Sequence, residues 1–518
     1  MRKIRFTFRP VAAVAIVALC TLFASHSQAG PLSQFHAARA RTFILGLDLD
    51  LAKKELQQGD ANDPVIQRER GRLQLYEADC DGAVLSLASA LAAGPDEDTE
   101  GMLDIARGCS RVTAAIIGDD VTTSDLVVRY QDEADRALTP LITESVENAR
   151  KTLTRDLGVT WPKPTRVIVV RDLLSLAAMT GLPYESAQTT GTVAIAKWGR
   201  VTLLSPRASH HGYPWRDTLT HELTHLAVTR LTNDRAPLWL QEGLAKREEV
   251  RWREPGPYDD RPSPDAIARR GMDKKLDLGL DELGPSIAML PSAQAAMVAF
   301  AEVTSFVRYY AKVAGDEAIK KLLSELRANQ KIDAALVEAS GMDLKAWDQK
   351  WRAEIMALPS EQVLGLDNFA SDPKANTSAR ERIRVAELLF GRGHTAEAQR
   401  EIDPLAGSKL VAHDPTFAYL AARVLEKGDL PGARAKVADP KDPTHAYAPW
   451  WAIRARLALA ASNAPLIEPS FLEALAQDPL DAEAACRSLD GSTLLTAPKD
   501  VDLCKAAAGA GVPDLGQN

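Results

Sequence analysis

Apolar residues recur at helical intervals along most of this chain, and only one region adds strand-like runs. Residues 30–120 read as helices throughout. Two apolar runs follow, Leu126 to Tyr130 and Arg166 to Val170; the second is continuous and β-branched, which suits a central strand. A long helix is expected between them, from about Thr139 to Leu157. Thr192 to Ala196 and Val201 to Leu204, joined near Lys197 to Arg200, pattern as a hairpin. Either Val201 to Leu204 is an edge strand able to take an extended peptide as a neighbour, or it is a plain interior strand. Beyond it the helical period returns, around His221, over Pro237 to Glu249, and from 293 through 358. Residues 252–291 interrupt it with Pro, Gly and charge and read as a loop-dominated insertion, either a lid over a cleft or a surface excursion.

The helical ends carry signs of repetition. Gly71, Ala83, Leu87, Ala90 and Pro95 fall at the intervals of a tetratricopeptide unit. Past a linker at 361–378, Gly393 with Ala398, Gly428 with Ala433, and Phe471 with Ala474 and Pro479 share such a frame. Stacked helix pairs need neighbours to bury their faces. An array of this kind either holds a protein partner in a groove or serves only as packing.

At 518 residues the chain is long enough for several domains, and with 46% hydrophobic and 25% charged residues its composition is that of a globular protein. Its formal charge is -8; residues 1–29 hold Arg2, Lys3, Arg5 and Arg9 and no acid, so without them it is -12. That disfavours nucleic acid or an anionic membrane as partner. Those residues pattern as a secretory signal: a basic start, an apolar run from Val11 to Ala24, and small residues at Ser27 and Ala29 for cleavage before Gly30. The run is short for a membrane span, although an uncleaved anchor is the rival, and no other span is seen. The expected destination is periplasmic or secreted. Cys20 leaves with the signal, and Leu19 before it is bulky for a lipoprotein. Cys80, Cys109, Cys486 and Cys504 remain; sequence closeness favours Cys80–Cys109 and Cys486–Cys504 as disulfides, with free buried thiols as the alternative.

The chemistry concentrates in His221-Glu222-Leu223-Thr224-His225 and Trp239-Leu240-Gln241-Glu242-Gly243. Residues four apart share a helix face, so His221 and His225 can present two imidazoles to one ion. A catalytic zinc takes three protein ligands and keeps one position open. Glu242 is the expected third ligand, since a carboxylate among Leu238, Trp239, Leu240, Leu244 and Ala245 is costly unless paired or bound to metal. Glu222, beside the first ligand, is placed to take a proton from water. His210 and His211 precede this helix without ligand spacing. Asp217 either caps the helix or orients a ligand, and Glu248 and Glu249 are either further orienting groups or solvated charges.

Thr218 to His225 with Ala236 to Ala245 resembles the Peptidase MA-like family of gluzincins. Trp161 to Val170, Val201 to Pro206, Ser305 to Tyr310 with Gly315, and Asp343 to Trp351 look like its flanking elements, so the resemblance covers roughly 121–358. It implies one zinc ion held by His221, His225 and Glu242, with Glu222 as catalytic base acting on a peptide or protein substrate. One departure stands out: Phe300 occupies the position where relatives often carry Tyr, and Phe has no donor for a developing oxyanion. Tyr309, Tyr213, His210 and His211 are the candidate substitutes.

The expected architecture is an α+β zincin-like domain with a small mixed sheet at 121–360, flanked by all-α tetratricopeptide-like segments at 30–120 and 379–518. The expected function is an exported zinc metallopeptidase. The alternatives are a repeat-type scaffold or chaperone with a degenerate or structural zinc site, and a zinc hydrolase acting on a cell-wall amide.

Overall fold

Five helices open the described chain: α1 (Pro31–Leu45), α2 (Leu49–Leu56), α3 (Pro64–Glu77), α4 (Cys80–Leu91) and α5 (Glu97–Thr113). The computed structural model describes residues 30–478 apart from 115, 117–119, 162–163, 210–211, 255–258, 260–261, 364, 368–372, 409–410, 413 and 439–446. The starts of α3, α4 and α5 follow from side-chain caps. Asp63 accepts from the Val65 N–H, Asp79 from Gly82 and Asp96 from Thr99, each satisfying a first-turn donor. Ala78, at φ 61°, ends α3 in the left-handed region and lets α4 return against it. Cys80 and Cys109 lie at disulfide distance, Cα–Cα 5.6 Å, and tie the start of α4 to α5.

The strands are β1 (Val121–Thr122), β2 (Leu126–Tyr130), β3 (Thr165–Val170), β4 (Ala194–Lys197) and β5 (Arg200–Leu204), in the order β1-β2-β3-β5-β4. The sheet is mixed: β2, β3 and β5 are parallel, while β1 and β4 run antiparallel to their neighbours. β3 is central, as its unbroken apolar run requires, and α6 (Thr139–Leu157) fills the crossover before it. β5 lies between β3 and β4 with all five residues buried, so Val201 to Leu204 is an interior strand and β4 takes the edge. The period of the run could not reveal this, because both hairpin strands are apolar. Two short helices, α7 (Leu173–Thr180) and α8 (Tyr184–Thr190), join β3 to β4.

The metal-motif helix is α9 (Trp215–Thr232), followed by α10 (Leu238–Glu248). Asn233 and Asp234 take φ 51° and 61°, which stops α9, and Pro237 opens α10, so the chain doubles back and the two helices pack together. Leu219, Leu223 and Val228 of α9 join Val167, Val169 and Leu203 of the sheet in one core. Residues 252–291 are less irregular than expected, since they contain α11 (Pro264–Asp273), capped by Ser263, and a short turn at Ile287–Met289. Then come α12 (Ala293–Ala314), α13 (Asp316–Arg327), α14 (Ile332–Ser340) and α15 (Leu344–Ala357). α12 packs on α10 through Gly243: a Cβ there would lie 2.6 Å from the Val303 carbonyl oxygen, so any side chain would push the helices apart.

The C-terminal helices are α16 (Pro373–Gly391), α17 (Thr395–Ile402), α18 (Pro415–Leu425), α19 (Leu430–Lys436), α20 (Ala448–Ala460) and α21 (Ala464–Gln477). α16 begins inside the stretch expected to be linker. These helices have a core of their own, including Ala386, Ala398, Leu420 and Trp450. They also touch the sheet-containing part: Phe471 joins its core, and the Tyr213 N–H donates to the Gln477 carbonyl at 3.2 Å. At the other end, Arg230 of α9 pairs with Asp48 at 3.0 Å, and buried Arg200 donates to the Leu75 carbonyl. Pro479, Cys486, Cys504 and the signal-like residues 1–29 lie outside the described residues. Among the described residues no helix is long and apolar enough to cross a membrane.

Two outcomes follow. Gly243→Ala is expected to cost about 1–3 kcal/mol through overpacking; an unchanged urea midpoint would contradict the close approach. Glu302 on α12 is buried beside Leu278 and 3.8 Å from Arg352, with Asp277 and Asp348 nearby, and burial pushes its carboxyl up to about 7. A carboxyl raised on folding favours the folded state at low pH, and that contribution disappears as the pH rises through about 7. Glu302→Gln should therefore raise the melting temperature relative to the parent at pH 8 and leave it near the parent value at pH 5. Equal shifts at both pH values would contradict the assignment.

Candidate metal centre

On α9, one helical turn separates His221 from His225, and their Nε2 atoms approach to 3.2 Å. The return of the chain along α10 brings Glu242 to them, its Oε2 lying 3.5 Å from His221 Nε2 and 3.6 Å from His225 Nε2. These three side chains form the one group of metal-ligating type found among the described residues. Ligands at about 2.0–2.1 Å around a tetrahedral zinc stand about 3.3–3.4 Å from one another. The observed triangle matches that spacing, so the residues present fit the ion. An ordinary hydrogen-bonded cluster would not need all three separations to agree.

The histidines are held from behind. His221 Nδ1 lies 3.1 Å from Glu249 Oε2, and His225 Nδ1 lies 3.4 Å from Gln241 Oε1. Giving the Nδ1 proton to these acceptors leaves each Nε2 lone pair facing the centre. Lys246 Nζ donates to the other Glu249 oxygen at 2.5 Å. Burial opposes a charged imidazole, yet the bonds from Glu242 and Glu249 prevail and lift His221 to about 9. His225 is likewise raised against its burial, chiefly by Glu242. Burial alone would raise Glu242, but His225 and His221 hold it well below the usual carboxylate range. The cluster thus draws positive charge to its centre.

Glu222 is directed away from this triangle. Its Oε2 accepts the Ala196 N–H of β4, and burial raises its carboxyl. An edge-strand N–H is therefore spent on fixing the carboxylate beside the two histidines. A cleft of about 730 Å³ opens in front of this arrangement. β4 forms one wall, His221, Glu222, His225 and Glu242 the floor, and Ser286 to Met289 part of the rim. The stretch 252–291 thus contributes to the cleft, as the lid expectation required.

The remaining expected groups divide. Phe300 does stand at the site, its ring 6.3 Å from that of His221. Tyr213 is buried and its hydroxyl is committed to the Leu204 carbonyl; Tyr309 packs on Trp347 and lines a different cavity. Neither offers a donor to the cleft. His210 and His211 fall outside the described residues. Asp217 makes no cap on α9; it accepts from Trp252 Nε1 at 2.8 Å and pairs with Arg253 at 2.7 Å, anchoring the segment after α10. Glu248 is buried against Arg247 and Arg251, away from the histidines, whereas Glu249 is the group that orients His221. Lys246 and the Ala196 N–H were not read from the sequence. Lys246 follows Glu242 by four residues and Glu249 follows Glu242 by seven, so helical spacing alone places all three on one face.

Residues 146–357 match the family model of the Peptidase MA superfamily. The likeness to that superfamily is therefore carried by the central segment. The match lies within the 121–358 span of the expected resemblance and leaves both helical flanks outside it. No curated protein matches the chain. Among solved structures, native yeast LTA4 hydrolase aligns over 76% of this chain and 66% of that one, at 12% identity and a TM-score of 0.32, a likeness too loose to bear on the site. The superfamily supports a metallopeptidase-type hydrolase in general terms.

Replacing Glu242 with Ala should abolish stoichiometric zinc, measured by elemental analysis after dialysis. Glu249→Gln should keep the ligands but weaken zinc affinity by about 10–100-fold, the usual effect of losing an orienting partner. Unchanged affinity in the Glu249 variant would show that His221 needs no such support.

Proposed function

We propose that the protein is an exported zinc-dependent metallopeptidase that hydrolyses peptide bonds, with His221, His225 and Glu242 as ligands and Glu222 as general base. The observation that carries this reading is the three-sided donor set at 3.2–3.6 Å, on the floor of a cleft and beside an independently fixed carboxylate. A zinc ion bound there supplies a Lewis acid and lowers the pKa of a coordinated water to about 7. Glu222 takes a proton from the attacking water and later returns it to the leaving amine. Its carboxyl, raised by burial, holds a proton more readily than a free one, which suits a group that accepts a proton from water before passing it on. β4 aligns the substrate: an extended peptide beside an edge strand gains main-chain hydrogen bonds without regard to side chain. Export is supported by the basic-then-apolar start of the chain and by the Cys80–Cys109 pair. The flanking helices, read as tetratricopeptide-like repeats bounding a domain at 121–360, are proposed to hold the catalytic part or a partner protein.

Phe300 favours one alternative, a helical scaffold or chaperone whose zinc site is structural or degenerate. The Glu222→Gln variant separates the two. For the peptidase it should retain one zinc while turnover of a peptide library falls by about a hundred- to ten-thousand-fold. Hydrolysis that survives both this change and a chelator would defeat the peptidase reading. Zinc-loaded parent protein that cleaves nothing yet binds partners would establish the scaffold.

A further inference from the structure

A guanidinium taken out of water is costly unless a carboxylate or enough carbonyls surround it. Arg200, the first residue of β5, is 1% exposed and is poorly supplied with both. Among the described residues no carboxylate bonds to it. One nitrogen donates to the Leu75 carbonyl of α3, another to Cys109 Sγ of α5 at 3.6 Å, and its Nε has no acceptor. Arg129 and Arg166 oppose its charge, and Tyr76, which would balance it, is a phenol pushed up to about 12 by burial. Burial holds Arg200 down to about 10, so it is still a cation at neutral pH. Cys109 is the group in contact with it that can become an anion. Its disulfide partner stands in a different field. Cys80 opens α4 and lines a cavity of about 460 Å³ with Glu77, Asp79, Asp81 and Asp120, and Arg129 at the edge of that cavity is already paired with Asp120. Cys109 is fully buried and does not line it. Negative charge is therefore disfavoured on Cys80 and favoured on Cys109.

We propose that Cys80–Cys109 is a thiol–disulfide exchange site, entered by an external dithiol at Cys80 and holding Cys109 as a thiolate against Arg200 once reduced. A thiolate of the dithiol bonds to Cys80 Sγ, the sulfur–sulfur bond breaks, and its electron pair stays on Cys109 Sγ. The second sulfur of the dithiol then bonds to the first and releases Cys80, which takes a proton. The dithiol is oxidised to a disulfide and the cysteine pair gains two electrons. Of the two protons that the dithiol gives up, one ends on Cys80 and the other in solvent. A leaving thiolate of lowered pKa departs faster, and a stabilised reduced form makes the pair a stronger oxidant than a disulfide with no such neighbour. The site also adjoins the cleft. Arg200 pairs across the hairpin with Lys197, next to Ala196, whose N–H holds Glu222, so the exchange site and the cleft share one hairpin. None of this depends on the peptidase reading.

The test equilibrates the full chain in mixtures of reduced and oxidised dithiothreitol, alkylates it, and reads the state of each cysteine from peptide masses. The parent pair should be half reduced in a mixture at least about tenfold more oxidising than Arg200→Met requires. Arg200→Lys, which keeps the charge, should fall between the two. Equal midpoints in the parent and Arg200→Met would overturn the inference, and so would two free thiols in the air-equilibrated parent. A second measurement leaves Arg200 in place, in case its replacement unfolds the chain. In Cys80→Ser, the ultraviolet absorbance of the Cys109 thiolate is taken as the difference from a chain that also carries Cys109→Ser. It should titrate below the ordinary thiol value of about 8.5. Titration at or above that value would overturn the inference, because burial without a cation raises a thiol. β-Mercaptoethanol added to the oxidised parent and quenched with acid should be found as a mixed disulfide on Cys80, and capture on Cys109 instead would overturn the assigned direction of attack.

Discussion

Two largely buried carboxylates, Glu242 and Glu249, flank one imidazole from opposite sides, and that arrangement governs the centre of the molecule. Buried charge is expensive unless it is matched. Here the match comes from His221 and His225 in front and Lys246 behind, and the histidines are driven toward their charged forms against their own burial. Both histidines and Glu242 converge on one point, where a divalent cation would balance the carboxylate. The geometry depends on α9 and α10 lying side by side. That in turn depends on the left-handed turn at Asn233 and Asp234 and on the absence of a side chain at Gly243.

The rest of the fold serves to expose one side of this cluster and hold the other still. The sheet ends in β4, whose Ala196 N–H grips Glu222 while its outer side faces the cleft. The helical flanks brace the same helix from two directions. Arg230, near the end of α9, pairs with Asp48, and the segment leading into its start bonds through Tyr213 to Gln477 at the end of α21. Both bonds reach α9 or its lead-in, so the flanks are in a position to fix the ligand helix as well as to bind partners. Asp217 adds a third tether by holding Arg253, which restrains the segment running from α10 toward the cleft rim.

Much of the centre was legible from residue spacing because helices impose it. A four-residue step from one histidine to the next and an acid in an apolar helix are local statements, and the helices formed where the apolar period put them. The central place of β3 followed from its unbroken β-branched run. Identity of the edge strand did not follow, because the two hairpin strands are similarly apolar and only the three-dimensional order tells them apart. Asp217 read as a cap because it stands in the first turn, but its partners Trp252 and Arg253 lie 35 and 36 residues away. Tyr213 failed as a donor because its hydroxyl is spent on the Leu204 carbonyl, and Tyr309 because it packs on Trp347 and lines another cavity. The family model covers the central segment, and the helical flanks stand on their own packing.

The most direct measurement is a zinc K-edge X-ray absorption spectrum of the full chain, reconstituted with one equivalent of the metal. Two imidazoles, one carboxylate oxygen and one further light-atom ligand, all near 2.0–2.1 Å, are expected of an open catalytic site. Sulfur at about 2.3 Å, or a shell that is unaltered when Glu242 is replaced by Ala, would mean that the ion sits elsewhere and that the α9–α10 cluster is only a buried ion-pair network.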